Sequence, residues 1–270
     1  MTGTPSCPPL DPARILAALA PHAAAFALRV VDECGSTNSE LVDHPPPDDG
    51  RIHVLLAERQ TAGRGRRGRQ WQSWPGAGLT FSALWRFAPG SPVPAGLSLV
   101  AGLALARTLE KLGVEGVQLK WPNDVLVHGA KLAGILVELL PGRGRTPAAV
   151  IGIGINLRLP AEAHIPDQPA VTDLASHCAN PPERNTLAGL LLAELHGLFE
   201  LYATAGFTAL RGAWQQRNAF ADLPVRISAE NGDIFGQCAG VDEDGALLIR
   251  TEDGLTTRIL SGEVSLRVAA

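Results

Sequence analysis

The pattern of apolar residues changes character at Asp222. Beyond it, "PVRIS", "IFGQCAGV", "ALLIRT", "LTTRIL" and "VSLRV" are short alternating runs, separated by the turn signals "ENGD", "DEDG" and "EDG". Alternation with period two puts one face of each run on a core, and Gly-containing turns join such runs into antiparallel neighbours. Five short strands in about fifty residues predict a small all-β barrel over 221–270.

Ahead of Asp222, strands and helices mix. "IHVLLAE" (52–58), "LTFSALWRF" (79–87), "VQLKWPNDVLV" (117–127), "KLAGILVEL" (131–139) and "AAVIGIGINL" (148–157) are strand-like. "GLSLVAGLALARTLEKLG" (96–113) predicts a helix ending at Gly113, and 185–206 a long helix capped by Asn185, with another helix in "FTALRGAWQQRNAF". "DPARILAALAPH" (11–22) has an Asp N-cap and Pro at the first helical position. "FALRVVDECGSTNSELVD" reads as a strand, a turn and a helix opening at Ser36 or Thr37, with Thr37 and Glu40 in capping-box spacing. The expected organisation is an extension with one helix over 1–30, a mixed-sheet α/β (α+β) domain over 31–220, and the β unit over 221–270.

Bulk properties narrow the function classes. A formal net charge of -4 and a pI near 6.0 argue against a broad nucleic-acid-binding surface, because each neutralised phosphate calls for its own cation. Cys7, Cys34, Cys178 and Cys238 lie far apart, a usage that suits a reducing compartment without disulfides. The start lacks the apolar stretch of a signal peptide and no apolar run predicts a membrane span, so a cytoplasmic location is expected. The seven histidines show no metal spacing, and the tail's acidic turns lack the spacing of a calcium loop.

Against this background, "QTAGRGRRGRQW" (60–71) concentrates Arg64, Arg66, Arg67 and Arg69 among Gly63, Gly65 and Gly68. The glycines match the dinucleotide spacing G-x-G-x-x-G, but that fingerprint needs a following helix and "RQWQSWPGAG" has no helical periodicity. Two readings of the segment stay open. A charge run is commonly a solvated loop; Trp71 and Trp74 count against that here. Arginines separated by glycines also suit a loop that gathers on one small anion, with guanidinium forks and backbone N–H groups. The capping role of Ser36, Thr37 and Asn38 stands beside any binding role in the same way. Lysine is scarce: of 23 basic residues only Lys111, Lys120 and Lys131 are lysines, and two flank the turn-like cluster Trp121, Pro122, Asn123 and Asp124.

Taken together, "GSTN" (35–38), "QTAGRGRRGRQW", "KWPNDV", "KLAGILVE", "GIGIN" and "GEVSLR" resemble, in order and spacing, the biotin protein ligases. The resemblance runs from about residue 30 to the C-terminus. It implies a biotin/lipoate-ligase type mixed-sheet catalytic domain followed by a small SH3-like barrel. It further implies two reactions: biotin and ATP give biotinyl-5′-AMP and pyrophosphate, then a lysine of a biotin carboxyl carrier protein takes the biotinyl group. By this resemblance Ser36, Thr37, Asn38 and Gln60 hydrogen-bond the ureido end of biotin. Arg64, Gly65 and Arg66 form a loop closing over biotin and its adenylate. Lys131 meets the carboxylate and α-phosphate, Lys120 and Asn123 lie near the phosphates, and Asp124 positions or deprotonates the incoming lysine. Lys131, Asp124 and Arg66 are thus the catalytic candidates. Trp71, Gly154, Asn156 and Arg267 complete the nucleotide set, a surface charge being the alternative for Arg267. Mg2+ is expected with the triphosphate, its protein ligands unassigned.

The chain departs from the family pattern twice. Only about thirty residues precede "GSTN", room for one helix rather than a DNA-binding domain, so neither DNA nor membrane is an expected partner, while a homodimer is possible. The loop "PDQPAVTDL" (166–174) lacks the aromatic that some members place over the adenylate. Rival functions are a lipoate or octanoyl transferase on the same general fold, and a nucleic-acid module using the arginine loop. "GRGRRGRQW" with "KWPND" favours biotin over the first, and the acidic total weighs against the second.

Overall fold

The structure, a computed structural model, describes residues 7–88, 94–140, 147–163, 165, 170–229, 232–260 and 265–268, side chains at 229, 232 and 265–268 excepted. Its frame is a seven-stranded sheet: β1 (Phe26–Cys34), β2 (Ile52–Gln60), β3 (Gly78–Arg86), β4 (Val117–Lys120), β5 (Asp124–Val127), β6 (Ala130–Leu140) and β7 (Ala148–Asn156). The strand order is β1-β2-β3-β7-β6-β5-β4; β1 and β2 run parallel and every other pair is antiparallel.

The two faces of this sheet are built differently, and β7 shows why. In "AAVIGIGIN", Ala149, Ile151, Ile153 and Ile155 point into the main core, whereas Gly152 and Gly154 fall on the opposite side. The isoleucine face is covered by α1 (Pro12–Leu19), α3 (Leu97–Lys111) and α4 (Arg184–Ala205), whose leucines and alanines share that core. On the other face sits α2 (Thr37–Asp43), whose Leu41 packs with Leu55, Leu84 and Val150 in a separate small cluster. The rest of that face, with its glycines, is open.

The C-terminal runs form a second antiparallel sheet from β8 (Pro224–Ala229), β9 (Gly232–Val241), β10 (Leu247–Arg250), β11 (Thr256–Ile259) and β12 (Ser265–Val268), in the order β11-β10-β9-β8-β12. Val225, Ile227, Cys238, Leu247 and Ile249 are fully buried in the same core as the large sheet. Helix α5 (Thr208–Gln215) joins the two, with Arg211 Nε and Gln215 Nε2 both donating to Val241 O at 2.7 and 2.9 Å.

Several elements differ from the sequence expectations. The 117–127 run is two strands rather than one, broken at Trp121–Asn123 into the β4–β5 hairpin where the sequence already read turn-like. Helix α2 is capped by Ser36, with Thr37 already helical, so the Thr37–Glu40 capping box does not form. Helix α4 starts at Arg184; Asn185 does not cap it, because its side chain accepts from Asp11 N and donates to Pro9 O. Helix α5 stops at Gln215, and residues 217–219 turn instead to the edge of β4, where Leu119 N donates to Arg217 O and Ala219 N to Leu119 O. By length and composition α4 is apolar enough to cross a bilayer, contrary to the expectation of no such run. Its Leu187, Leu191, Leu195 and Leu198 are instead buried against α1 and α3, so it serves as a core helix. The four cysteines are free thiols.

The α1–α4 contact is close enough to be tested. A Cβ at Gly189 would lie 2.6 Å from Ala18 Cβ and 2.8 Å from Ile15 O, whereas one at Gly197 meets nothing within 4 Å. Urea denaturation of Gly189→Val is expected to show a loss of roughly 1–3 kcal/mol from overpacking. Gly197→Ala, on the same helix, should gain about 0.4–1 kcal/mol from reduced chain entropy.

Candidate functional site

The open face of the large sheet is the floor of a cleft of about 1200 Å³, mouth included. Gly152 and Gly154 of β7 and Gly134 of β6 make that floor, Gly134 facing Gly154 across the strands. The missing side chains are required there. A Cβ at Gly152 would collide with the Asn38 amide, and one at Gly154 with the Trp71 indole. The same strands keep isoleucine on the core side, so one alternating sequence serves both a packed interior and a flat binding surface.

One end of the cleft is a dense polar network at the start of α2. Ser36, Thr37 and Asn38 are buried although polar, and so is Ser82 of β3. Ser82 Oγ lies 2.7 Å from Thr37 Oγ1 and 2.6 Å from Asn38 Oδ1. Gln60 Oε1 accepts from Thr37 N at 2.7 Å and from Thr37 Oγ1 at 3.1 Å. With its carbonyl so engaged, Gln60 keeps its amide donors for whatever enters. Asn38 Nδ2 donates to Leu136 O at 3.3 Å and to Glu138 Oε2 at 2.9 Å. A buried polar set of this density fixes its own geometry.

The other end is cationic. Lys131 Nζ lies 2.8 Å from Asp124 Oδ1, an ion pair whose angles do not make a hydrogen bond; both side chains are largely buried. Asp124 opens β5 after the turn "KWPN", and that turn is held from several sides. Asn123 Nδ2 donates to Ile135 O at 2.9 Å, Lys120 Nζ stands 5.9 Å from the centre of the Phe220 ring, and the buried Trp121 indole N–H donates to Gly245 O at 3.0 Å. The last contact crosses from the turn to the C-terminal sheet. Lys131 is fixed by its backbone, its N–H donating to Ala170 O and its carbonyl accepting from Thr172 N.

The arginine segment folds over the cleft as a closed hairpin rather than a loose surface run. Trp71 N donates to Gly63 O at 2.9 Å and Gly65 N to Arg69 O at 2.7 Å, around a 3-10 turn at Arg66–Gly68 in which Arg67 and Gly68 take φ of +56° and +71°. Its arginines divide the work. Arg64 makes a two-pronged ion pair with Glu138, at 2.9 and 3.1 Å, and bonds Ser39 Oγ. Arg66 turns inward: Nη1 donates to Asn123 Oδ1 at 3.4 Å, while Nη2 is buried with no hydrogen-bond partner. Burial and the neighbouring Arg67 pull the Arg66 guanidinium below its ordinary pKa, with Asp124 opposing. A guanidinium lining the cleft suits an anionic ligand.

Ser36, Thr37, Asn38, Gln60, Arg64, Gly65, Arg66, Trp71, Lys120, Asn123, Asp124, Lys131, Gly154 and Asn156 therefore line one cavity. Asn156 is there, but its amide donates to Thr172 O at 3.0 Å and so holds the wall strand 170–172. The side chain of Arg267, like most of "GEVSLR", lies outside the described residues. Sequence reasoning missed Ser82, Glu138 and Gly152. Alternation in β7 could have found Gly152, whereas Ser82 and Glu138 reach the site only through strand pairing. Val171 supplies apolar wall in the loop that lacks an aromatic, and Ile165, just ahead of that loop, supplies more. Among the described residues no group of three or more His, Cys, Asp or Glu could hold a metal. Among the described residues Asp124 is the one carboxylate lining the cleft, and it is already paired with Lys131, a donor set suited to a metal carried in by phosphates and water.

Comparison with known proteins agrees with this architecture. Residues 30–156 match the biotin/lipoate A/B protein ligase family, and residues 224–267 match the biotin protein ligase C-terminal domain. The chain is 40% identical to the bifunctional ligase/repressor BirA of Escherichia coli, covering 90% of this chain and 74% of that one. It is 36% identical to the biotin–[acetyl-CoA-carboxylase] ligase of Mycobacterium tuberculosis, covering 88% of each. Among solved structures, the biotin protein ligase of Aquifex aeolicus in complex with biotin and ATP superposes with a TM-score of 0.76 at 32% identity, over 90% of this chain and 99% of that one.

The floor glycines carry a direct test. Gly154→Ala is expected to dislodge the Trp71 indole and shift its fluorescence emission to longer wavelength, a shift absent when the substitution is made in a Trp71→Phe background. Ile153→Val, one residue away on the core face, should cost about 0.5–1.5 kcal/mol in urea denaturation and leave the emission unchanged.

Proposed function

Starting from a chain that belongs to the biotin/lipoate A/B protein ligase family, we infer a biotin protein ligase. It uses ATP to convert biotin into biotinyl-5′-AMP and passes the biotinyl group to a lysine of a biotin carboxyl carrier protein. The observation that carries the reading is polar asymmetry. A neutral hydrogen-bonding network at one end of the glycine floor faces Lys131, Arg66 and Lys120 at the other, which matches a ligand with a ureido head and a carboxylate tail.

In the first step a biotin carboxylate oxygen attacks the α-phosphorus of ATP. A C–O–P anhydride forms, the Pα–O–Pβ bond breaks and pyrophosphate leaves. Both reactants are anions, so the protein's work is positioning and charge compensation rather than nucleophilic attack. We assign Lys131 to the carboxylate and α-phosphate, and Arg66, Lys120 and Asn123 to the phosphates. Trp71 over Gly154 flanks the nucleotide. Ser36, Thr37, Asn38 and Gln60 take the ureido end. Magnesium enters as part of the substrate MgATP and offsets the triphosphate charge.

In the second step the carrier lysine nitrogen attacks the acyl carbon, the C–O bond to AMP breaks and an amide forms. A lysine of pKa about 10.4 is a poor nucleophile at neutral pH, so a nearby carboxylate is needed to orient it and take its proton. Asp124 is that group once Lys131 turns from it to the acyl phosphate. The arginine hairpin, by covering the cleft, keeps water from the anhydride. Arg64 acts at one remove, holding the hairpin to the sheet through Glu138.

Purified protein mixed with biotin, MgATP and an apo carrier domain is expected to add one biotinyl mass to the carrier by mass spectrometry. Arg66→Gly should release free biotinyl-AMP into solution, and Lys131→Met should slow biotin-dependent ATP–pyrophosphate exchange roughly 100-fold or more. Exchange driven by lipoate and not by biotin would move the assignment to the lipoate branch of the family.

A further inference from the structure

We propose that Glu138 is a positioning residue that sets the polarity of the Asn38 amide, and that it thereby makes the closed end of the cleft select for a ligand N–H. The proposal rests on the biotin ligase reading and names a specificity determinant within it.

An asparagine amide has a donor end and an acceptor end, and its neighbours decide which one a ligand meets. Asn38 is 3% exposed, so its polar atoms depend on the partners around it. On one side stand the Leu136 carbonyl and the Glu138 carboxylate, at 3.3 and 2.9 Å, and both can only accept. They fix the NH2 toward themselves and consume both of its hydrogens. The oxygen then faces the cleft, where Ser82 Oγ at 2.6 Å uses one lone pair and leaves the other for a ligand donor. Remove the carboxylate and one amide hydrogen loses its partner, so the flipped amide, presenting NH2 to the cleft, becomes competitive. Glu138 is itself held by the two-pronged pair with Arg64, whose Nη1 also bonds Ser39 Oγ at 3.2 Å. One carboxylate thus ties the arginine hairpin to the orientation of a recognition amide. A ureido head group offers two N–H donors, and a site built to accept them rejects analogues that lack them.

The test compares wild type, Glu138→Gln and Glu138→Leu in ATP–pyrophosphate exchange, with folding followed by urea midpoint. The substrates are biotin and biotin methylated at either ureido nitrogen. In Glu138→Leu the KM for biotin is expected to rise about tenfold or more with the KM for ATP within about twofold, and the preference for biotin over the poorer methylated analogue to fall by about tenfold. Glu138→Gln keeps a carbonyl for the Asn38 amide and should retain most of that preference. Selectivity unchanged in folded Glu138→Leu would overturn the proposal, as would equal rises in both KM values, which mark a general loss of structure. Should Glu138→Leu fail to fold, a Glu138→Gln enzyme with selectivity as poor as that of an Asn38→Ala enzyme overturns it instead. Wild-type enzyme that performs no biotin-dependent exchange removes the ligase reading itself, and the proposal with it.

Discussion

A β-strand has two faces and one sequence, and in this protein the central strands β6 and β7 put those faces to opposite uses. Isoleucine and alanine point to one side and bind the sheet to α1, α3 and α4; glycine points to the other and leaves the sheet bare. The cleft lies on that bare side. Asn38 and Trp71 can reach the floor because nothing projects from it, and Lys131 and Asp124 stand where the glycine surface ends. A one-residue slip in register would drive isoleucine into the cleft and glycine into the core. Core stability and cleft shape are therefore specified by the same pairing.

The second constraint is the way charge is held. Lys131, Asp124, Arg66 and Arg64 line one cleft, Glu138 stands beside it as the partner of Arg64, and the buried ones are tied to partners or to backbone. The exception is one nitrogen of Arg66. That nitrogen has no protein partner, and a guanidinium so placed among cleft-lining residues suits an anion. The carboxylates have the complementary role. Asp124 and Glu138 each neutralise a cation that would otherwise repel its neighbours, so the cleft keeps its positive character without losing its shape.

Much of this was legible in the residues. The alternating runs after Asp222 announced the second sheet, and the motif residues from Ser36 to Asn156 converge on one cavity although up to 120 positions separate them. What the sequence did not reveal is what depends on pairing across strands. Ser82 is an ordinary strand serine until β3 is set beside β7 and opposite α2; Glu138 is an ordinary acid at the end of a motif until Arg64 folds down onto it. Local signals also misled where tertiary contacts took a side chain for other work. Asn185 has the composition of a helix cap, yet it spends its amide on the N-terminal segment.

The hydrogen bond from the Trp121 indole to Gly245 O joins the turn bearing Lys120, Asn123 and Asp124 to a residue that follows it by 124 positions. On the ribosome, that turn emerges long before its support. Until the tail has been made and folded, a buried indole N–H lacks its acceptor and the β4–β5 hairpin has no buttress behind it. A nascent chain that stops short of Gly245 thus holds the cleft-lining turn without the contact behind it, and that corner of the cleft is finished by a part of the chain made much later.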